Sequence, residues 1–197
     1  MSAIDAIVDA VSWKPRESDV THSEARAKAK AADRPGTWLS IILKHHEDID
    51  AAFASVKSAP TVAAQTTAQK HLAVLLTGHA IAEESVIYPA LTRAGQKEAA
   101  TLAYAEQATA KREMSDLETL APLSAQYLER LALIRDAVTH HMYEEESTWF
   151  PALIANTSPQ QQAMLALRYQ EEFDRYVGRG ATLDQPPVSQ SSLAGSG

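Results

Sequence analysis

The chain has 197 residues, of which 45% are hydrophobic and 22% charged, with a net charge of −7 and no cysteine. Such a length and composition suit one soluble globular unit with a sizeable core. Disulfides, thiolate metal sites and a cysteine nucleophile are excluded. An acidic chain without a basic stripe is also a poor partner for nucleic acid.

The first residues, MSAIDAIVDAV, carry no basic segment ahead of their short apolar stretch, and Asp5 and Asp9 interrupt it, so they do not read as a signal peptide. Ile4, Ile7, Val8 and Val11 share a helical side, and Thr21-x-x-Glu24 resembles a capping box, so one or two short amphipathic helices are expected within residues 1–36. A longer helix begins after DRPGT (33–37) and runs to about residue 57, with Leu39, Ile42, Ile49 and Phe53 on one stripe and His46 among them. The next, about 66 to 92, places Leu72, Leu75, Leu76, His79, Glu83 and Val86 on one face. Its most apolar run, 72–82, is too short to span a bilayer. No membrane partner and a cytoplasmic location are therefore expected.

Gly95 marks a turn, and a third long helix, about 97 to 120, carries Ala103, Gln107, Ala110, Met114 and Leu117 in line. Pro122 and Ser124 interrupt the chain. A fourth helix, about 124 to 149, directs Tyr127, Leu131, Ile134, Val138, His141 and Glu145 inward. Four long helices joined by short loops predict an all-α, up-down-up-down four-helix bundle. A further helix starts near Ser158-Pro159, and beyond about residue 179 the composition turns to Gly, Pro, Ser and Gln. The expected organisation is an N-terminal helical extension (1–36), the bundle (37–155), a C-terminal helix (156–180) and a disordered tail (181–197).

One stretch is written twice. HAIAEESVIYPAL (79–91) and HMYEEESTWFPAL (141–153) agree at seven of thirteen positions, including the His, both Glu and the closing Pro-Ala-Leu. The repeat is one of helix pairs: His46 and His79 lie 33 residues apart, Gln107 and His141 34 apart. Residues four apart share a helix face, so His79 with Glu83, and His141 with Glu145, each aim an imidazole and a carboxylate in one direction. Bare spacing is weak, since His140 and Glu144 form a third such pair. Context carries the reading: both chosen pairs lie on apolar stripes, ten residues ahead of a proline. A lone inward histidine is commonly a hydrogen-bonded core residue, but a buried carboxylate needs a compensating charge. The only inward cation in prospect is Lys111, so metal is the natural compensation. Imidazole with carboxylate and no thiolate suits iron, manganese or zinc, and two facing carboxylates favour a dinuclear site. The metalloprotease order His-Glu-x-x-His is absent, and the Glu-x-x-His order of ferritin-like bundles differs from this one.

KHHEDIDAAF, HAIAEESVIYP and HMYEEESTWFP resemble the hemerythrin family, specifically its bacterial HHE cation-binding branch, over about residues 37–155. The resemblance implies a hemerythrin-like bundle holding two non-haem irons, joined by an oxo or hydroxo bridge and two carboxylates, with a single iron, manganese or zinc as alternatives. It implies that His46, His79 and His141 are terminal ligands and that Glu83 and Glu145 are the bridges. It further implies reversible binding or reduction of dioxygen, or chemistry with peroxide or nitric oxide. His46 is preferred to His45 because it falls on the apolar stripe; His45, His140, Glu84 and Glu144 are assigned to outer or solvated positions. The family places at least one His on its third helix, whereas here no His occurs between His79 and His140. Gln107 stands at the matching position and is expected to bind weakly, to leave a coordination position open, or to yield to Glu106 or Tyr104. Alternative functions are an iron- or oxygen-responsive interaction protein, whose terminal helices meet a protein partner or a second copy, and a di-metal oxidoreductase acting on an organic substrate.

Overall fold

A computed structural model of the chain describes residues 19–34 and 36–178. It is all-α, an up-down-up-down bundle with an added helix at each end. Helix α1 spans Asp19–Ala32, α2 Trp38–Ser58 and α3 Val62–Ala82. A π turn over Glu83–Ile87 then leads into α4, Tyr88–Arg93. Helix α5 is Lys97–Leu117, and α6 is Ala125–Glu144. A second π turn, Glu145–Trp149, leads into α7, Phe150–Ala155, and α8 is Pro159–Val177. The stretch around Ile4–Val11 and the tail beyond Gly178, both given expectations above, lie outside the described residues. Among the described residues, no helix is long and apolar enough to cross a membrane.

The caps follow the local sequence. Thr37, Thr61 and Ser124 each accept the backbone N–H three residues on, and Ser158 with Gln161 forms a full capping box. Thr21, expected near a helix start, lies within α1, which begins at Asp19. Gly95, at φ +86°, closes α4 while the Gln96 N–H returns 2.8 Å to the Leu91 carbonyl. The loop into α6 is anchored from within: the buried Gln65 accepts the Leu123 N–H at 2.7 Å, holding Leu123 at φ +62°.

The two prolines do not end their helices. The expected fourth helix stops near residue 149, whereas the observed path continues through Pro151 to Ala155. A proline in a regular helix clashes with the carbonyl four residues back and has no N–H to offer it. Widening the turn just ahead relieves both problems: the Tyr88 N–H reaches back five residues to the Glu83 carbonyl, and the Phe150 N–H to that of Glu145. The repeated Glu-Glu-Ser-x-x-(Tyr/Phe)-Pro thus writes the same π turn twice, with each inward glutamate as its first residue.

The core joins Trp38, Ile42, Ile49 and Phe53 of α2 to Leu72 and Leu75 of α3, Leu117 of α5, Leu131 and Ile134 of α6, and Phe150 of α7. Helix α8 packs across α3 and α2, and α1 across the second π turn and α6. Gly78 permits the α8 contact, since a Cβ there would meet Phe173 and Tyr176 at 3.3 Å. Gly78→Leu should therefore lift α8, costing about 1–3 kcal/mol. A thermal melt should show a fall of several degrees; an unchanged Tm would contradict this packing.

Candidate metal centre

The π turns and the apolar stripes aim one polar cluster into the middle of the bundle. His46 of α2, His79 of α3, Glu83 and Glu145 present ligand atoms that all lie within 4.8 Å of one another. All four are buried, with His46, Glu83 and Glu145 at 0% exposure. His79 Nε2 is 3.1 Å from Glu83 Oε2, and His46 Nε2 is 3.3 Å from Glu145 Oε2. His141 flanks this group, its Nε2 3.4 Å from Glu145 Oε1. The structure thus brings together all five residues expected as ligands. His45 and His140 stand outside the group.

Each of the three imidazoles is gripped from behind. His46 Nδ1 is 2.6 Å from Glu146, His141 Nδ1 2.8 Å from Glu106, and His79 Nδ1 2.9 Å from the Tyr169 hydroxyl of α8. With Nδ1 occupied, each ring turns Nε2 toward the centre, the arrangement that fixes tautomer and aim for a metal-binding histidine. His45 is buried rather than solvated: its Nδ1 also meets Tyr169 at 2.9 Å, and its ring lies 4.0 Å from that of Phe173. Burial, with the neighbouring His79, pushes the His45 pKa down to about 3. Glu146, which packing rather than spacing draws inward, had no distinguishing mark in the sequence beyond its place beside Glu145. Arg26 was missed too, because nothing local links residue 26 to residue 146.

The other half of the cluster is built differently. Tyr88 is fully buried, and its hydroxyl has His141 Nε2 at 3.0 Å, Glu83 Oε2 at 3.1 Å and Glu145 Oε1 at 3.2 Å. Gln107 faces the same point, its amide nitrogen donating to Glu83 Oε2 and to the Tyr88 oxygen, both at 2.7 Å. In this arrangement Gln107 is a hydrogen-bond donor to a carboxylate, with its nitrogen rather than its oxygen toward the cluster. Glu106 and Tyr104, the alternatives on the same helix, serve other ends: Glu106 holds His141, and Tyr104 donates to the Glu84 carbonyl at 2.6 Å. Lys111 does not point inward but pairs with Glu84 at 2.7 Å. Tyr88 was not singled out in the sequence; its contrast with Phe150 at the same place in the second copy was the available signal.

The cluster is left short of hydrogen bonds in a way that a cation repairs. His46 Nε2, Glu83 Oε1 and Glu145 Oε2 are buried and make none. One Tyr88 proton cannot serve two carboxylates and an imidazole at once. Buried anionic oxygens without partners cost several kcal/mol, and a divalent or trivalent ion bound among them removes that cost. Nitrogen and carboxylate donors without thiolate fit iron, manganese or zinc. In the metal-free protein, protons stand in for the ion. Burial works against charging His46, but Glu145 and Glu146 outweigh it and raise its pKa to about 9. Burial likewise opposes charging His141, and Glu145 and Glu106 more than offset it, holding its pKa well above the ordinary value. Burial alone would lift the Glu145 pKa; His141 and His46 instead keep it well below the usual carboxylate range.

A four-helix bundle with a buried His/Glu cluster at its centre that could hold a metal ion has the build of a cation-binding domain. The hemerythrin HHE cation-binding domain matches residues 38–153, and the chain belongs to that family. A DNA nickase of Nostoc sp. is 34% identical over 95 residues, which cover 48% of this chain and 27% of the nickase. No solved structure matches the chain.

The proton balance predicts a pH signature. The His46 pKa is about 9 when folded, against roughly 6.5 unfolded. Its contribution, on the order of 3 kcal/mol, is complete below pH 6.5 and fades as pH rises toward 9. Glu145 acts oppositely, so its contribution is lost as pH falls below the ordinary carboxylate range. His45, held neutral by burial with a pKa of about 3, costs stability as pH falls below about 6.5. Metal-free protein should hence be most stable near pH 6.5, and bound metal should abolish the alkaline loss. A set of melts against pH, with and without metal, reads this directly; an alkaline-stable metal-free protein would contradict it.

Proposed function

We propose that this chain is a non-haem di-iron protein that binds or reduces a small oxidant (dioxygen, peroxide or nitric oxide) at the carboxylate-bridged centre. One observation carries the reading: four buried ligand residues converge within 4.8 Å while His46 Nε2, Glu83 Oε1 and Glu145 Oε2 go without hydrogen bonds. His46 and His79 would hold one ion, and His141 with the Tyr88 hydroxyl would face the second. Glu83 and Glu145, which reach the cluster from opposite helix pairs, would supply the carboxylates shared by the site. Iron bound there would supply redox electrons for a small oxidant. Manganese, zinc or a single ion suits the same donors.

The chain's own residues set the conditions for that chemistry. The cluster is sealed, with no residue more than 7% exposed, which favours a diatomic molecule or peroxide over an organic substrate. Tyr88 keeps its proton in the metal-free state, because burial and the charges of Glu83 and Glu145 push its pKa well up. Tyr88 would give up that proton more readily, and could then act as a donor, once those charges were offset by a bound cation. Gln107 fixes one oxygen of Glu83 from the side. If His79 bears its proton on Nδ1, it donates to the Tyr169 oxygen, and Tyr169 in turn donates to the neutral His45, a chain that leads from the centre to α8. A second reading, an iron-responsive interaction protein, is favoured by the way both terminal helices reach the imidazoles. A net charge of −7 repels a phosphate backbone, which speaks against a DNA substrate for this chain.

Metal analysis of ligand variants tests the centre. His79→Ala and Glu145→Ala should each lose at least one ion and melt lower, because a buried carboxylate is left without compensation. Full metal content in both variants would remove the assignment. Tyr88 is tested separately by visible spectra of the oxidised, iron-loaded protein. A phenolate-to-iron absorption should appear in the wild type and vanish in Tyr88→Phe, which should keep the ion at His46 and His79. Identical spectra from the two proteins would exclude Tyr88 as a donor.

A further inference from the structure

The added N-terminal helix reaches the centre through one side chain. Arg26 of α1 donates from Nε to both oxygens of Glu146, at 2.9 and 3.2 Å, and from Nη1 to Asp50 at 2.5 Å. Asp50 lies one turn beyond His46 on α2, and Glu146 follows Glu145 on the second π turn. The guanidinium therefore ties together the two elements that carry the unpartnered atoms of His46 and Glu145. Glu146 is 2% exposed and bonds His46 Nδ1 at 2.6 Å. The donors behind it come from outside the bundle, through Arg26.

The internal repeat provides a comparison within the same molecule. Glu84 occupies in the first copy the place of Glu146 in the second. Opposite Glu84 the repeat offers Gln107 rather than a histidine, and there Glu84 pairs with Lys111 near the surface, with 24% of its side chain exposed. The carboxylate is drawn in, and given an arginine, on the side where an imidazole needs aiming. A cavity of about 190 Å³ lies beneath α1, lined by Lys28, Ala29, Leu39, Glu146 and Phe150. It gives Glu146 room to swing away from His46 once Arg26 lets go.

We infer that Arg26 is a positioning residue for His46, so that docking of α1 and metal binding at His46 are energetically coupled. The inference rests on the metal reading of the preceding section. Docked α1 pins Glu146, Glu146 pins the His46 ring, and the ring keeps Nε2 aimed at the ion. Loss of such outer partners costs about 10–100-fold in metal affinity. Linkage is reciprocal, so bound metal must tighten α1 by the same factor.

The test uses full-length protein loaded anaerobically with ferrous iron, then mixed with a ferrous chelator. Arg26→Gln and Glu146→Gln should each speed release of an ion about 10–100-fold. The double variant should be no faster than the quicker single one, since both act through one chain of contacts. Wild-type release from Arg26→Gln, or multiplied effects in the double variant, would overturn the coupling. Limited proteolysis of the wild type at residues 33–37, with and without iron, needs no variant to fold: loaded protein should be cut about 10–100-fold more slowly. Equal cleavage would overturn the inference while leaving the centre intact. A wild type that takes up no iron would overturn the centre and the inference together.

Discussion

Two carboxylates, Glu83 and Glu145, have been carried into the driest part of the bundle, and the rest of the molecule answers to them. Each is fully buried and each keeps an oxygen without a hydrogen bond. Isolated charges in such a place are prohibitively costly, so every neighbouring element brings something positive or protic. Helix α2 brings His46, α3 His79 and α6 His141, while α5 brings the amide of Gln107. The apolar core makes the problem acute, because Trp38, Phe150 and Leu72 exclude the water that would otherwise solvate the oxygens.

The fold was largely legible in the sequence because its signals are local. Caps such as Thr37 and Ser158, the 3.6-residue stripe through Leu39, Ile42, His46, Ile49 and Phe53, and the turn at Gly95 all act within a few residues. The inward ligands were legible for the same reason, since His79 and Glu83 share a face by spacing alone. The π turns were not, because periodicity assumes a regular helix: the second expected helix runs unbroken through Pro89, and the fourth ends before Pro151. Tyr88 was hidden by the same assumption: the widened turn rotates the segment after Glu83, so a residue five positions on returns to the centre. Arg26, Glu146 and Tyr169 were beyond reach for another reason. Their partnerships join residues 120, 100 and 90 positions apart, and no local pattern encodes a docking of one helix on another.

Duplication explains the frame, and its breakage explains the chemistry. Two helix pairs related by the repeat would present identical halves to two ions. Here one half keeps two imidazoles, His46 and His79. The other keeps one imidazole, and in place of the second has Gln107 together with the Tyr88 hydroxyl. The differences are matched: the half with Gln107 in the place of the second imidazole also has Tyr88 where the other half has Phe150 before its proline. Phe150 stacks on His46 with ring centres 6.3 Å apart, whereas Tyr88 gives its oxygen to the cluster beside Gln107. A phenol holds its proton more tightly than an imidazolium does, and burial among carboxylates tightens that hold further. The two halves therefore hold their protons differently: His46 keeps its proton up to about pH 9, whereas the Tyr88 phenol is held well above its ordinary range.

That asymmetry continues outward to the surface. On the His46 side the outer carboxylate is buried and its counter-charge comes from α1, a helix outside the repeat. On the His79 side the outer partner is Tyr169 of α8, also outside the repeat, passing on to His45. On the Gln107 side the equivalent outer pair, Glu84 with Lys111, stays half in water and touches no imidazole. The terminal helices are thus placed where the histidines need rear support, and absent where the repeat has no second histidine to support. A four-helix frame can bury the carboxylates by itself. Aiming the imidazoles requires polar groups behind them. The bundle itself supplies Glu106 behind His141 and Glu146 behind His46, while the added helices supply Tyr169 behind His79 and the arginine that holds Glu146.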